Sequence, residues 1–204
     1  MDPNTVNQAT GLNVLMAGVS GFIWIPLIQC WGRAPVLFWT SITGFGISTG
    51  CAVAAEFTQF YALRAVQGIL QSSYLSLGLT IIQDVFFLHE HARKIGMWVS
   101  AVLISPQLGP MLGNFMLYYL GDWRANAWVV TAVAGLNMIL MPLLADETRY
   151  DRAVQEQPAR GSKLTRLVGV WQIRNHSYFM TFKDSFLLTM KVCMKPLVIM
   201  SFIY

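Results

Sequence analysis

The stretch Phe60–Gln83, FYALRAVQGILQSSYLSLGLTIIQ, decides the fold because it is apolar and long enough to cross a membrane, yet carries polar side chains. On an α-helix, residues three, four or seven apart lie on the same side. This spacing places four polar residues on one face: Arg64, Gln67, Gln71 and Tyr74. A charge inside an apolar span costs about 2.5–3.5 kcal/mol on insertion scales. The face is therefore predicted to meet water, a substrate or a buried partner.

The same polar face has a second interpretation that needs no ligand. Arg64 lies near the start of the stretch, so its guanidinium can reach the membrane surface while its stem stays in lipid. The glutamines can pair with neighbouring helices, as amides in membranes do. The spacing alone leaves both interpretations open.

Composition assigns the chain to the membrane proteins. Apolar residues make up 55% and charged residues 12%, against about 25% charged residues in soluble domains. Four further stretches lack charge and reach the roughly 20 residues that cross a bilayer. Together they predict an all-α, polytopic membrane helix bundle with five spans, at about 11–30, 35–55, 60–83, 95–120 and 125–145.

The rest of the chain falls into three predicted segments. Residues 1–10 are polar and are expected to form an outer N-terminal segment. Residues 146–195 are mixed and polar and are expected to form a cytoplasmic loop. Residues 196–204 are apolar but too few to cross a bilayer, which predicts the truncated start of a sixth span.

Basic residues orient the predicted bundle. Arg33, Arg93 and Lys94 fall at the same end as the basic segment 146–195, whereas only Arg124 falls at the other end. Because cytoplasmic loops carry an excess of Lys and Arg, the N-terminus is predicted to lie outside and residues 146–195 in the cytoplasm. We expect an integral multi-pass protein of the plasma membrane. The basic excess serves orientation, so nucleic acid is not an expected partner.

No pattern in the sequence is typical of an enzyme, a metal site or a cofactor. The three cysteines lack the spacing of a disulfide framework or a zinc site. His89 and His91 diverge on a helix and have no further ligand nearby in the sequence. No His, Asp and Glu set clusters within or beside the spans. We expect no catalytic residue, metal or cofactor.

Small residues and prolines predict how the helices pack. Gly11, Gly18 and Gly21 suggest that the first span approaches its neighbours closely. In the fourth span each proline removes a backbone hydrogen bond, and neighbours must satisfy the freed carbonyls. That span is predicted to be bent and closely packed around Pro106 and Pro110.

The segment 163–174 alternates basic and apolar residues at helical spacing. One interpretation is an amphipathic helix on the anionic inner leaflet. The other is a solvated linker whose periodicity is incidental.

Four short motifs follow one another along the chain: Gly32-Arg33 with Pro35, Arg64-x-x-Gln67-Gly68, Gly109-Pro110-x-x-Gly113 and Asp146-Glu147-Thr148-Arg149-Tyr150. In this order and at these spacings they resemble motifs of the major facilitator superfamily of transporters, in particular its fungal drug/proton antiporter-like branch. In that family they mark the loop between helices 2 and 3, helix 4, the antiporter motif of helix 5 and the end of helix 6.

The resemblance implies a partial major facilitator fold that holds family helices 2 to 6. Family members have twelve spans in two halves, with the substrate held between them. The chain is thus expected to begin after helix 1 and to stop inside helix 7. The resemblance also implies proton-coupled export of a small organic molecule, with the bilayer, the substrate and the proton as partners. The alternative is a non-transporting truncated membrane protein that associates with a full-length relative.

The resemblance also implies roles for named residues. Arg64 would line the substrate and proton pathway and influence an acid on a helix outside the chain. Gln67, Gln71 and Tyr74 would bond to substrate. The bending motif of family helix 5 would let that helix flex as access alternates; its residues are Gly109, Pro110 and Gly113.

Three charged residues at the ends of the predicted spans are expected to form a cytoplasmic gate cluster: Arg33, Asp84 and Glu147. Ordinary interfacial charge is the alternative interpretation of this trio. Two further positions depart from the family pattern. Gln29 stands where the loop motif has an acidic residue, and Asn114 stands where the antiporter motif has a small glycine.

The predicted orientation has a direct test. Asn175-His176-Ser177 matches the acceptor pattern for N-glycosylation, but the orientation places it in the cytoplasm. We expect the protein purified from eukaryotic cells to show no mobility shift on glycosidase treatment. A glycan on Asn175 would reverse the assignment.

Overall fold

The computed structural model describes residues 3–144, 146–148, 162–174 and 181–196, in which every regular element is an α-helix. Five are long: α1 (Pro3–Trp31), α2 (Arg33–Val53), α3 (Phe57–Val85), α4 (His91–Leu120) and α5 (Trp123–Leu144). Three are short: α6 (Lys163–Val168), α7 (Val170–Arg174) and α8 (Phe182–Cys193). The five long helices are each long and apolar enough to cross a membrane. The predicted all-α bundle is confirmed.

Some segments differ from the sequence-based expectation. Residues 3–10 continue α1 without a break, and its membrane-crossing part begins at Thr10. The segment expected as a loop holds α6, α7 and α8 in its described parts. The glycosylation pattern and residues 197–204 of the expected further span lie outside the described residues.

The sharp turn between α1 and α2 follows from local sequence. Gly32 has φ of 87°, in a region that suits a residue without a Cβ. Pro35 follows in the first turn of α2, where the missing N–H has no helical partner to lose. The two helices are therefore joined through a single residue.

Helices α1 and α3 approach each other closely at Gly68. A Cβ placed on Gly68 would overlap the backbone carbonyl of Asn13. The Asn13 side chain also donates from Nδ2 to the Arg64 carbonyl at 2.8 Å. Small residues permit such contact, which supplies much of the packing energy between membrane helices.

Polar groups reinforce the same interface further along the two helices. The hydroxyls of Ser20 and Ser72 lie 2.7 Å apart. Trp24 donates from Nε1 to the carbonyl of Ile69 at 2.7 Å. Both serines are buried, so the bonds form away from solvent.

The glycines of α1 do not make this approach. A Cβ on Gly11, Gly18 or Gly21 would meet no atom within 4 Å. The prediction that they mark close packing is wrong. The contact is made instead by Gly68 of the partner helix, which the sequence had marked only as part of a motif.

Helix α2 lies between α3 and α5. A Cβ on Gly50 would lie 3.2 Å from the side chain of Leu63 on α3. On α5, a Cβ on Gly135 would lie 3.1 Å from the ring of Phe45. The helix thus joins both neighbours through glycine contacts.

Helix α4 is the most exposed of the five. None of its apolar span is buried in the described bundle, so the predicted close packing around its prolines is not found. The helix continues through Pro106 and Pro110. Pro106 leaves the Val102 carbonyl without its helical donor, and the Ser105 hydroxyl donates to that carbonyl at 3.1 Å. A neighbouring side chain thus replaces the hydrogen bond that the proline removes, as predicted from the sequence.

A matched pair of alanine substitutions tests the interface between α1 and α3. Gly68→Ala should lower the free energy of unfolding by about 1–3 kcal/mol, because the added methyl group forces the two backbones apart. Gly18→Ala adds the same group on α1 in open space and should be neutral or slightly stabilising. Unfolding of the detergent-purified chain in rising SDS measures both. Equal stability of the two variants would contradict the close approach.

Candidate functional site

A charge cluster lies at the end of the bundle where α1 passes into α2 and α3 ends. The guanidinium of Arg33 contacts both carboxylate oxygens of Asp84, with NH2 at 2.8 Å from Oδ2 and 3.1 Å from Oδ1. The Thr148 hydroxyl donates to the same carboxylate at 3.3 Å. The Arg33 and Asp84 side chains are 14% and 18% exposed. This pair joins the start of α2 to the end of α3.

Glu147 completes the cluster by capping α2. Its two carboxylate oxygens accept the backbone N–H groups of Arg33 and Ala34, each at 3.2 Å. The first N–H groups of a helix have no partner within it, and the helix dipole favours a negative charge there. Glu147 is only 8% exposed. The structure therefore brings together Arg33, Asp84 and Glu147, the three residues of the expected cluster.

The docked segment, residues 162–174, closes over Glu147. Gln172 donates from Nε2 to Glu147 Oε2 at 3.1 Å. Arg166 NH1 lies 2.9 Å from Asp146 Oδ1. Trp39 of α2 donates from Nε1 to the Val168 carbonyl at 3.3 Å. The segment thus ties the chain after α5 to the start of α2.

The helical periodicity of this segment is real, but its helix is broken. Gly169, with φ of 99°, separates α6 from α7 and lies against Pro35. Arg166, Leu167 and Gln172 are buried against the rest of the protein. The segment therefore packs on the bundle through its buried side, which neither sequence interpretation included.

Gln29, which departs from the family pattern, also has a hydrogen-bond partner. Ser185 of α8 donates to Gln29 Oε1 at 2.6 Å and is fully buried. An amide at this position accepts a hydrogen bond from a neutral hydroxyl without placing a further carboxylate near Asp84, which lines the same space. Helix α8 is thereby attached to the end of α1.

A polar cavity lies toward the opposite end of the bundle, where α2 ends and α3 and α5 begin. It has a volume of about 230 Å³. Its polar lining comes from three helices: Ser48 and Cys51 of α2, Arg64 and Gln67 of α3, and Asn126 of α5. Polar residues of separate helices thus face one space.

A second cavity of about 460 Å³ shares part of this lining, namely Arg64, Asn126 and Val130. Its far wall is α4, with the bending motif Gly109, Pro110 and Gly113 together with Asn114. The structure therefore places the bending motif opposite Arg64. We call the two spaces together the Arg64 cavity.

Arg64 lies about two turns inside α3. It donates from NH1 to Gln67 Oε1 at 3.3 Å, and its guanidinium carbon lies 5.2 Å from the centre of the Phe60 ring. Arginine has no acceptor, so Gln67 must turn its oxygen toward Arg64 and its NH₂ group away. The pair presents hydrogen-bond donors to its surroundings.

The predicted polar face of α3 divides in the folded bundle. Arg64 and Gln67 line the cavity. Gln71 is exposed and belongs to the lining of neither space. The Tyr74 hydroxyl lies 3.4 Å from the position of a Cβ on Gly44 of α2. The four residues therefore do not share one cavity.

Three polar lining residues were missed by the sequence reasoning: Ser48, Cys51 and Asn126. Ser48 lies among other hydroxyl residues of its span, and Asn126 shares its span with a second asparagine, so neither stands out in the sequence. Asn126 also packs against α4, where a Cβ on Gly113 would lie 3.2 Å from its Nδ2. Only the packing of α2 and α5 against α3 brings them to Arg64.

Comparison with known proteins places this geometry in a family context. The family model described as Major Facilitator Superfamily matches residues 1–204. Quinidine resistance protein 3 of Saccharomyces cerevisiae is 26% identical over 157 residues, which cover 77% of this chain and 22% of that protein. Multidrug transporter FLR1 of Candida glabrata is 31% identical over 156 residues, 76% of this chain and 28% of the transporter.

MFS antiporter QDR3 of Candida albicans is 28% identical over 146 residues, 71% of this chain and 21% of that protein. The chain therefore spans about a quarter of the length of the curated relatives it matches. No solved structure matches it significantly. The names of the three relatives describe resistance or transport rather than catalysis.

Reversing and exchanging the charges of the Arg33 and Asp84 pair tests the cluster. Arg33→Asp and Asp84→Arg each place like charges together and should lower the free energy of unfolding by about 1.5–3 kcal/mol. The double exchange restores opposite charges and should recover most of this loss. Unfolding of the three variants in detergent gives the coupling energy. Additive losses in the double variant would show that the pair contributes nothing.

Proposed function

The chain belongs to the major facilitator superfamily, and we propose that it forms part of a transporter that exports a small organic molecule in exchange for protons. The observation that carries this proposal is the Arg64 cavity. A charged side chain inside an apolar span is expensive and marks a pathway for a substrate or an ion. Here it faces a space lined by polar groups from several helices.

The relatives support the direction and the class of the proposed transport. Their names include an antiporter, a multidrug transporter and a resistance protein. Resistance to a compound is most simply achieved by removing it from the cell. We extend export and proton exchange from these proteins to the one that contains this chain.

The two sites suggest how access would alternate. The charge cluster ties α2, α3 and the segment after α5 at one end of the bundle, and the Arg64 cavity lies toward the other. We propose that the tied end is cytoplasmic and that the cluster of Arg33, Asp84 and Glu147 holds the gate there closed. Breaking the Arg33–Asp84 pair would then accompany opening toward the cytoplasm.

Helix α4 is suited to move during that change. Its apolar span is not buried against the other described helices, and the glycines of its bending motif face the Arg64 cavity. Gly109 has open space beside it, so the backbone can shift without meeting a neighbour. In this proposal the motif lets α4 bend while Arg64 engages substrate and proton. The plasma membrane is the proposed location.

Dye flux in proteoliposomes tests the proposal. The protein is expressed from its native reading frame, purified and reconstituted with either of two related xanthene dyes, anionic fluorescein or cationic rhodamine 123. We expect flux of at least one dye that depends on an imposed pH gradient and falls at least about tenfold in Arg64→Ala, since the cavity loses its charge.

Arg93→Ala is the matched control, because Arg93 is exposed at the start of α4 and outside the cavity. It should retain the flux. Absence of pH-dependent flux of both dyes in the unsubstituted protein would contradict transport. Co-purification of the chain with a full-length relative would then favour the non-transporting alternative.

A further inference from the structure

The Arg64 cavity has an unbalanced charge among its described lining residues. Arg64 is cationic, whereas none of the residues that line the two spaces with it is an acid. The ion pairs in the described part of the chain join Arg33 to Asp84 and Arg166 to Asp146, and neither involves Arg64. Arg64 is exposed within the described bundle, so an anion can reach its guanidinium, and an opposite charge nearby favours the ionised form of that group.

We propose that this cavity binds an organic anion through its carboxylate, which deepens the proposed function and rests on it. The guanidinium presents several N–H donors in a planar fork that matches a carboxylate. Its contact with Gln67 uses NH1, and the guanidinium carries further N–H donors. A carboxylate oxygen at the cavity side of Arg64 would receive a charge-assisted hydrogen bond.

The polar groups around Arg64 also favour an acceptor. Gln67 turns its oxygen to Arg64, so its NH₂ group remains to donate. Ser48 and Asn126 add a hydroxyl and an amide on the facing helices. These neutral groups donate to a carboxylate without adding a competing negative charge.

The rest of the lining suits an apolar body attached to that carboxylate. Phe60 and Val130 line the smaller space, and Leu117 and Pro110 line the larger one. Such walls accept an aromatic or aliphatic group, while the few polar groups fix its orientation. The expected ligand class is a small aromatic or aliphatic carboxylic acid in its ionised form.

A cationic or neutral ligand fits the groups that line the Arg64 cavity less well. A cation would meet the charge of Arg64 with no carboxylate among the described lining residues to compensate it. A neutral ligand would leave that charge unbalanced. The structure therefore predicts a ranking by ligand charge at constant ligand shape.

Three compounds that share one ring test this ranking: benzoate, benzamide and benzylamine carry charges of −1, 0 and +1 at pH 7. The purified chain is titrated with each, and the ligand-dependent rise in melting temperature gives the affinity. We expect benzoate to bind at least about tenfold more tightly than benzylamine, in line with a charge-assisted contact. Equal affinities, or a preference for benzylamine, would overturn the proposal.

Substitutions test whether the preference for benzoate arises in the Arg64 cavity. Arg64→Gln should remove the preference for benzoate, and Arg64→Lys should keep part of it because the charge remains. Arg93→Gln removes a charge outside the cavity and should leave the ranking unchanged. Loss of the preference in Arg93→Gln as well would show that net charge, rather than this site, selects the anion.

A second variant keeps the test decisive if Arg64→Gln does not fold. Asn126→Asp is nearly isosteric and places a carboxylate in the cavity, so it should weaken benzoate and strengthen benzylamine. An unchanged ranking in Asn126→Asp would overturn the proposal.

These binding measurements do not depend on whether the protein transports anything. A transporter that prefers rhodamine 123 would contradict the ligand class alone, whereas benzoate binding without dye flux would contradict transport alone.

Discussion

The contact between α1 and α3 at Gly68 is the constraint on which the rest of the bundle depends. In lipid, apolar side chains gain little by leaving their solvent, so helices associate through close packing and interhelical hydrogen bonds. Gly68 lets the backbone of Asn13 approach, and Ser20, Ser72 and Trp24 add hydrogen bonds further along the same interface. With α3 fixed against α1, both the polar cavity and the charge cluster take their positions from α3.

The two ends of the bundle use polarity in opposite ways. At one end the charges of the cluster have fixed partners: Arg33 has Asp84, and Glu147 has the first N–H groups of α2. The docked segment then covers Glu147 with Gln172 and excludes solvent from it. Toward the other end, Arg64 has an amide and an aromatic ring beside it but no carboxylate among the described residues that line its cavity. Charges that are satisfied within the protein hold helices together, whereas an unbalanced charge is suited to a ligand.

Helix α4 occupies an unusual place in this arrangement. Its prolines would be expected to weaken it, yet the helix is continuous and Ser105 satisfies one of the freed carbonyls. Its contacts with the described bundle are few enough that none of its apolar span is buried. On its cavity side, Gly109 has open space beside it, which leaves room for the backbone to move there. A helix that is intact but loosely held is the element best suited to change position.

The sequence by itself determined the class of the protein, the number and approximate positions of its long helices, and the charges that meet at one end. Long uncharged stretches can satisfy their backbone in lipid only as helices, and charges collect where spans end. The sequence could not show that Gly68 rather than the glycines of α1 makes the close approach, or that Gln71 lies apart from Arg64. It also gave no sign that Ser48 and Asn126 line the Arg64 cavity, or that the docked segment covers Glu147 in the charge cluster. Those features depend on how each helix is rotated against its neighbours. In lipid that rotation is set by side-chain fit between distant parts of the chain, which no periodicity within one helix records.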